Sequence, residues 1–313
     1  MTNLLSAADG VAAPPARLPD TFLVGAMKAG TSALAGALAA HPEVFVCPVK
    51  EPHALADAAC IGPDRAARGV HPARAVMRRG GPAKLHHATV PDAASYAALF
   101  AGAAGHRAVV DASTSYLMCP PTPGRIAAAR PNARIVVVLR EPAERAAAHH
   151  RMDRRIGRER RSLTRALAED GAASPYIRHG RYATALARYQ AVFAPEQLLV
   201  LWHEELVTAW AATGARLTAH LGVTPRPLPA AEANAGRAPR WPGLTRALYR
   251  TGADTALRRA LPAPVRALAR RALTRAEAPA APAPAEHAGV WAHLDDEMTR
   301  LEALLDRDLS HWR

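Results

Sequence analysis

Short apolar runs, each closed by a glycine or a polar residue, recur along this chain and set the reading of its fold. The first, Thr21 to Val24, has the length and composition of a buried strand and runs into the glycine that opens Gly25-Ala26-Met27-Lys28-Ala29-Gly30-Thr31-Ser32. An alanine-rich helix follows and stops at His41-Pro42, because the residue before a proline is biased away from helical backbone. Val44 to Cys47 then reads as a second strand. Strand, glycine loop, helix and strand in that order make a βαβ unit. Ala108 to Val110 running into Asp111, Ile135 to Leu139 running into Arg140, and Leu198 to Trp202 repeat the strand pattern. Short, β-branched and unalternating, they are expected as central strands of a parallel sheet covered on both faces. Helical patterns lie between them, from Pro142 onward and from Tyr182 to Phe193. The predicted class is α/β, in three layers, with a central parallel sheet and helices on both faces.

The ends of the chain behave differently. Residues 1–18 are small and rich in Pro and Ala, as expected of a flexible N-terminal arm, and residues 19–313 are read as a single domain with a helical C-terminal portion. Gly62 to Lys84 has neither a helical nor a strand period and is expected as a surface excursion. Ala278 to Ala285 reads as a stiff Pro/Ala linker. Beyond it Leu294, Met298, Leu301, Leu304 and Leu305 form the apolar stripe of a last amphipathic helix.

Composition sharpens this picture at three points. A formal net charge of +13 over 313 residues calls for an anionic partner, whether nucleic acid, a membrane surface or a phosphorylated small molecule. The basic residues are almost all arginine, and Lys28, Lys50 and Lys84 are the only lysines. Two of them fall inside the candidate site below, where a compact ammonium and a planar guanidinium are not interchangeable. Cys47, Cys60 and Cys119 are odd in number and lack CxxC spacing, which suggests neither a disulfide framework nor a zinc site and fits a reducing compartment. No basic leader, long apolar leader or run of eighteen apolar residues occurs, so the expectation is a cytoplasmic protein without a membrane anchor. Oligomeric state is not readable.

The glycine loop carries the sharpest chemical signal. A loop whose amides converge at a helix N-terminus binds phosphate through N–H groups and the helix dipole, with a lysine and hydroxyls completing the cradle. A Walker A loop places its lysine after the second glycine. Here Lys28 stands between the glycines and Thr31-Ser32 follow Gly30 directly, which argues against an ordinary ATP or GTP site even though Val109-Val110-Asp111 could pass for a Walker B strand.

Gly25 to Ser32 resembles the 5′-phosphosulfate loop of the sulfotransferase family, particularly its bacterial and carbohydrate-type branch. Lys50-Glu51-Pro52-His53 is similar to that branch's K-E-P segment, and Asp111-Ala112-Ser113-Thr114-Ser115-Tyr116 to its acidic or serine-rich strand end with a tyrosine. Arg140-Glu141-Pro142-Ala143-Glu144-Arg145 is similar to its R-[DE]-P-x-x-R motif. Four motifs in the family's order, each at a strand end, extend the resemblance over most of the chain. It implies a P-loop-like fold and a sulfuryl transfer from 3′-phosphoadenosine 5′-phosphosulfate, without a metal, to a hydroxyl or amine on a carbohydrate, lipid or secondary metabolite.

On that resemblance Lys28, Ala29, Gly30, Thr31, Ser32 and Arg140 would bind the donor, Lys28 and Glu51 would act in catalysis, and Lys50, His53 and Asp111 would lie toward the acceptor. The chain departs from the family at Ala148, eight residues after Arg140, where the family's serine shares the 3′-phosphate; His149, a backbone amide or an arginine from elsewhere would have to replace that hydroxyl. It departs again at Ala54-Leu55, where aromatics often follow K-E-P. Two other readings stand beside this one. A P-loop kinase or phosphotransferase is opposed by the lysine position, and a nucleic-acid-binding protein by arginines that are scattered rather than arranged in a basic and aromatic module.

Overall fold

Both faces of the central sheet are covered, which is why its strands read as continuous apolar runs. The structure, a computed structural model, describes residues 17–61, 85–86, 90, 92–230, 237–251, 253, 257, 261–276 and 280–313. Strands β1 (Thr21–Gly25), β2 (Val44–Val46), β3 (Ala108–Ala112), β4 (Arg134–Leu139) and β5 (Leu198–Trp202) form one sheet in the order β2-β3-β1-β4-β5. Every pairing in it is parallel, with Thr21 of β1 opposite Val110 of β3 on one side and Arg134 of β4 on the other. All residues of β1 and β3 are buried, as is β4 beyond Arg134.

Among the helices are α1 (Thr31–Leu38), α2 (Thr122–Ala129), α3 (Pro142–Ile156), α4 (Tyr182–Gln190) and α5 (Trp210–Leu221), with shorter ones such as Ala93–Ala98 and Leu163–Asp170 between them. They continue with α6 (Pro242–Thr251), α7 (Ala263–Leu273) and α8 (Pro284–Leu305). A short antiparallel ribbon, β6 (Arg237–Pro239) with β7 (Thr274–Ala276), brackets α6 and α7. The α/β class with a central parallel sheet is as expected. From β1 the chain crosses to β2 at one edge, and after β3 it crosses to β4 on the other side of β1. That reversal at β1 is the topological switch at which open parallel sheets receive ligands, beyond the carboxyl ends of their strands.

The chain divides into two compact units, so the range 19–313 read as one domain is shared between them. The first comprises Met1–Arg140, Arg181–Glu232 and Ala303–Leu305 and holds the whole sheet. The second comprises Glu141–Gly180, Ala233–Glu302 and Asp306–Arg313 and is built mainly of helices, α3, α6, α7 and most of α8. Glu141 caps α3, its carboxylate accepting from the amides of Ala143 at 2.8 Å and Glu144 at 2.5 Å, while Pro142 takes the first helical position where no amide is needed. The stripe read for the last helix is present in α8, where Leu294, Met298 and Leu301 are buried together with Val290 and Trp291. The Pro/Ala tract ends inside that helix, since Pro284 is its first residue. Gly62 to Lys84 and most of the 1–18 arm lie outside the described residues.

The cysteine reading is corrected. Cys60 and Cys119 form a disulfide across a sequence separation of 59. Neither count nor spacing signals it, because the two thiols meet only where the Ala58–Ile61 turn lies beside the segment after β3, the Asp57 amide donating to Cys119 Sγ at 3.3 Å. The cysteine pattern therefore no longer argues for a reducing compartment. Cys47 stays a buried thiol, its pKa pushed up by burial. Among the described residues no helix is long and apolar enough to cross a membrane.

At Gly25 backbone and side chain meet closely, since a Cβ there would lie 2.8 Å from Cβ of Leu117. Neither atom is the tip of a flexible side chain, so a methyl group forces the backbone to shift. Gly25→Ala is expected to cost about 1–3 kcal/mol, the usual penalty for overpacking a core, read as a lower midpoint in thermal or urea unfolding.

Candidate active site

The loop after β1 is shaped by its second glycine. Gly30 has φ +100°, and a Cβ there would sit 3.1 Å from Leu206 Cδ1 and 3.2 Å from His203 Nδ1. A side chain is thus refused by both conformation and space. His203, immediately after β5, has Nδ1 3.1 Å from the Ala29 carbonyl and steadies the loop from that side. The amides of Ala33 and Leu34 return to the Gly30 carbonyl, at 3.0 and 3.1 Å. Thr31 and Ser32 consequently supply first-turn amides of α1, donors that have no carbonyl partner within their own helix and carry its positive pole. Lys28, half-buried, has φ +72°. Its carbonyl accepts from Arg140 Nη1 at 3.3 Å, and the Arg140 carbonyl in turn accepts from the Tyr182 hydroxyl at 2.9 Å.

A second constellation forms where the chain leaves β2 and runs beside the end of β3. The Glu51 amide donates to the Ala112 carbonyl at 3.0 Å, which fixes Glu51 at the carboxyl edge of the sheet. Its carboxylate is buried. Oε1 accepts from Lys50 Nζ at 3.1 Å and from Thr114 Oγ1 at 2.9 Å, and Oε2 lies 3.6 Å from His53 Nε2. His53 Nδ1 is 2.7 Å from Ser115 Oγ, and the His53 amide donates to Ser113 Oγ at 3.3 Å. Glu51 and His53 have φ of +64° and +56°. With Lys28, three of the four described non-glycine residues in the left-handed region are therefore candidate site residues. Each such conformation costs on the order of 1–3 kcal/mol and persists only where neighbours hold it.

Asp111 supplies part of that hold. Fully buried, it accepts from Tyr96 at 2.7 Å and Tyr116 at 2.9 Å through Oδ2 and from Ser113 at 2.8 Å through Oδ1. Ser113 is thus donor to Asp111 and acceptor from the His53 amide, so the carboxylate underpins the His53 backbone from below rather than facing outward. Burial raises its pKa to about 6 despite the three hydroxyl donors, which pull the other way.

The six residues read for the donor gather around the loop and Arg140, and Glu51, Lys50 and His53 gather with Thr114 and Ser115. Sequence reasoning noted the hydroxyl run at the end of β3 but gave its members no role. Tyr182 and His203 lie in the Gly180 to Tyr182 and Gln197 to Leu206 stretches of the resemblance but were given no role, and Tyr96 has no signal in the sequence. In the second unit, His149 Nε2 is 3.3 Å from Asp153 Oδ2 one helical turn on, and the His149 ring stands edge-on to Tyr176. Arg145 is fully buried and donates to the Tyr176 carbonyl, and the Trp291 indole donates to Glu141 at 3.0 Å. The R-E-P-x-x-R segment after Arg140 is thereby engaged in building α3.

A five-stranded parallel sheet whose central strand feeds a lysine-bearing glycine loop and a helix defines an α/β protein of the P-loop-like class. A sequence model of the sulfotransferase family matches residues 19–227, and the chain belongs to that family. A sulfotransferase from Alicyclobacillus acidocaldarius is similar in structure, with 28% identity, a TM-score of 0.65, and coverage of 94% of this chain and 98% of that one. A sulfotransferase domain from the curacin biosynthetic pathway gives 18% identity and a TM-score of 0.45 over 67% of this chain and 76% of that one. No curated protein matches.

The raised pKa of Asp111 has a defined sign. Between its ordinary value of 3.8 and about 6 the folded protein holds a proton that the unfolded chain has released, so stability falls as pH rises through that window. Asp111→Asn removes the titration. The stability of wild type relative to this variant should drop by about 2 kcal/mol between pH ~4 and pH ~7, measured by denaturant unfolding at each pH. A pH-independent difference would refute the assignment.

Proposed function

We propose that this sulfotransferase takes its sulfuryl group from 3′-phosphoadenosine 5′-phosphosulfate and delivers it to a hydroxyl or amine of a carbohydrate, lipid or secondary-metabolite acceptor, with Glu51 as general base. The observation that carries the reading is Lys28 in left-handed backbone between Gly25 and Gly30, at the end of the central strand and before the first amides of α1. Sulfuryl transfer breaks the bond between sulfur and the 5′-phosphate oxygen and forms one between sulfur and the acceptor atom, while the acceptor loses a proton. Negative charge grows on the departing phosphate. The Lys28 ammonium and the amides of Gly30, Thr31 and Ser32 are suited to receive it, preorganised charge in a partly dry site being worth far more than in water. Arg140, tied to the Lys28 carbonyl, is assigned to the donor's second phosphate.

Glu51 is assigned the proton because its carboxylate stands at the carboxyl edge of the sheet, held by Thr114 and Lys50 through Oε1 and with Oε2 3.6 Å from His53 Nε2. Lys50 and His53 are assigned to orient the acceptor. Asp111 takes a positioning role beneath His53, in place of the acceptor contact read from sequence. The kinase reading requires magnesium and a nucleoside triphosphate. This one requires neither, since the charge on the leaving group is met by an ammonium and backbone amides.

Isothermal titration calorimetry separates the two. Adenosine 3′,5′-bisphosphate should bind in the presence of a chelator, and Mg-ATP should bind at least about tenfold more weakly. A preference for Mg-ATP would overturn the donor assignment. For the base, Glu51→Gln keeps the shape and one acceptor oxygen but not the basicity. Turnover should fall by about 10² to 10⁴-fold with donor affinity nearly unchanged. Lost donor affinity with near-normal turnover would reduce Glu51 to a structural partner of Lys50.

A further inference from the structure

The second unit carries a surface that the transfer chemistry does not use. Residues 237–251 and 263–276, which make up β6, α6, α7 and β7, contain eight arginines and no acidic residue. The ribbon closes the base of this segment, and the Arg240 amide donating to the Leu273 carbonyl at 2.9 Å extends the closure. α6 rests against α3. Large apolar side chains nonetheless face solvent on both helices: Trp241 is 55% exposed at the head of α6, with Leu244 beyond it, and Val265 and Leu268 on α7 are exposed too, Leu268 at 69%. Val265, Leu268 and Ala272 recur at helical spacing on one side of α7, with Arg271 and Arg275 exposed beside them.

We propose that α6 and α7 form a docking surface for an anionic lipid bilayer, lying in the interface plane without crossing it. A bilayer of acidic lipids satisfies both halves of this surface at once. Its headgroups meet the arginines, and its acyl boundary receives leucine, valine and the amphipathic indole. The two other occupants each satisfy one half. A second copy packed through a two-fold axis would set arginine against arginine with no acidic residue in these segments to relieve the repulsion. A nucleic acid would answer the charge but leave the exposed leucines against phosphate and water. Such docking is compatible with the absence of a crossing helix among the described residues.

Flotation of the full chain with vesicles tests this. Vesicles of phosphatidylcholine mixed with phosphatidylglycerol should carry the protein upward and vesicles of phosphatidylcholine alone should not, with binding reduced by salt as headgroup attraction is screened. The double variant Leu244→Ser, Leu268→Ser should weaken the partition by about tenfold or more, as expected for losing two inserted aliphatic side chains. Arg271→Glu with Arg275→Glu should weaken it at low salt. These side chains are exposed, so circular dichroism and adenosine 3′,5′-bisphosphate binding should stay as in wild type. Absence of binding to the anionic vesicles, or unchanged binding by the leucine variant, overturns the proposal. So does a gel shift of duplex DNA without vesicle binding, or a dimer in sedimentation that the leucine variant dissociates.

Discussion

The Glu51 and His53 corner of the sheet's carboxyl edge depends on a buried carboxylate closed in by hydroxyls. Asp111 ends β3 in the dry interior, where an ion is costly, and Tyr96, Tyr116 and Ser113 converge on it. Tyr96 comes from the Ala93–Ala98 helix and Ser113 and Tyr116 from the segment just after β3, so satisfying one carboxylate ties that helix to the end of the strand. Ser113 passes the constraint to the His53 amide, and Thr114 and Ser115 pass it to Glu51 and His53. The left-handed backbone at Glu51 and His53 is held against its own preference by this hydroxyl scaffold.

The sheet explains why such a scaffold stands at this end. In parallel pairing every strand delivers its carboxyl terminus to the same edge, so residues far apart in sequence become neighbours without a special loop. Lys28 follows β1, Glu51 follows β2, Asp111 ends β3, Arg140 follows β4 and His203 follows β5. The Arg140 guanidinium reaching the Lys28 carbonyl, and His203 reaching that of Ala29, join the outer strand ends to the central loop. Gly30 lets the loop pass through that narrow space.

The excess of positive charge has a distribution as well as a magnitude. Arg140 at the glycine loop is a single placed residue, whereas across α6 and α7 arginine forms a field with apolar side chains in its midst. On the proposed readings the first meets a phosphate of fixed geometry and the second an extended anionic surface, so the first needs a strand end and the second only two amphipathic helices.

The sequence by itself determined the strands, the glycine loop and the family. Thr21 to Val24, Val44 to Cys47, Ile135 to Leu139 and Leu198 to Trp202 match the observed strands to within a residue, because a strand buried on both faces leaves an unbroken apolar run. The helix from Pro142 was legible because its proline and acidic cap act within one turn. Tertiary structure alone decided what the side chains touch. The Cys60–Cys119 disulfide, the contact of Tyr96 with Asp111 and the burial of Asp111 beneath His53 join segments 15 to 62 residues apart. No local period or spacing records such meetings. They follow from strand order, which is settled by packing over the whole sheet and not by any one segment.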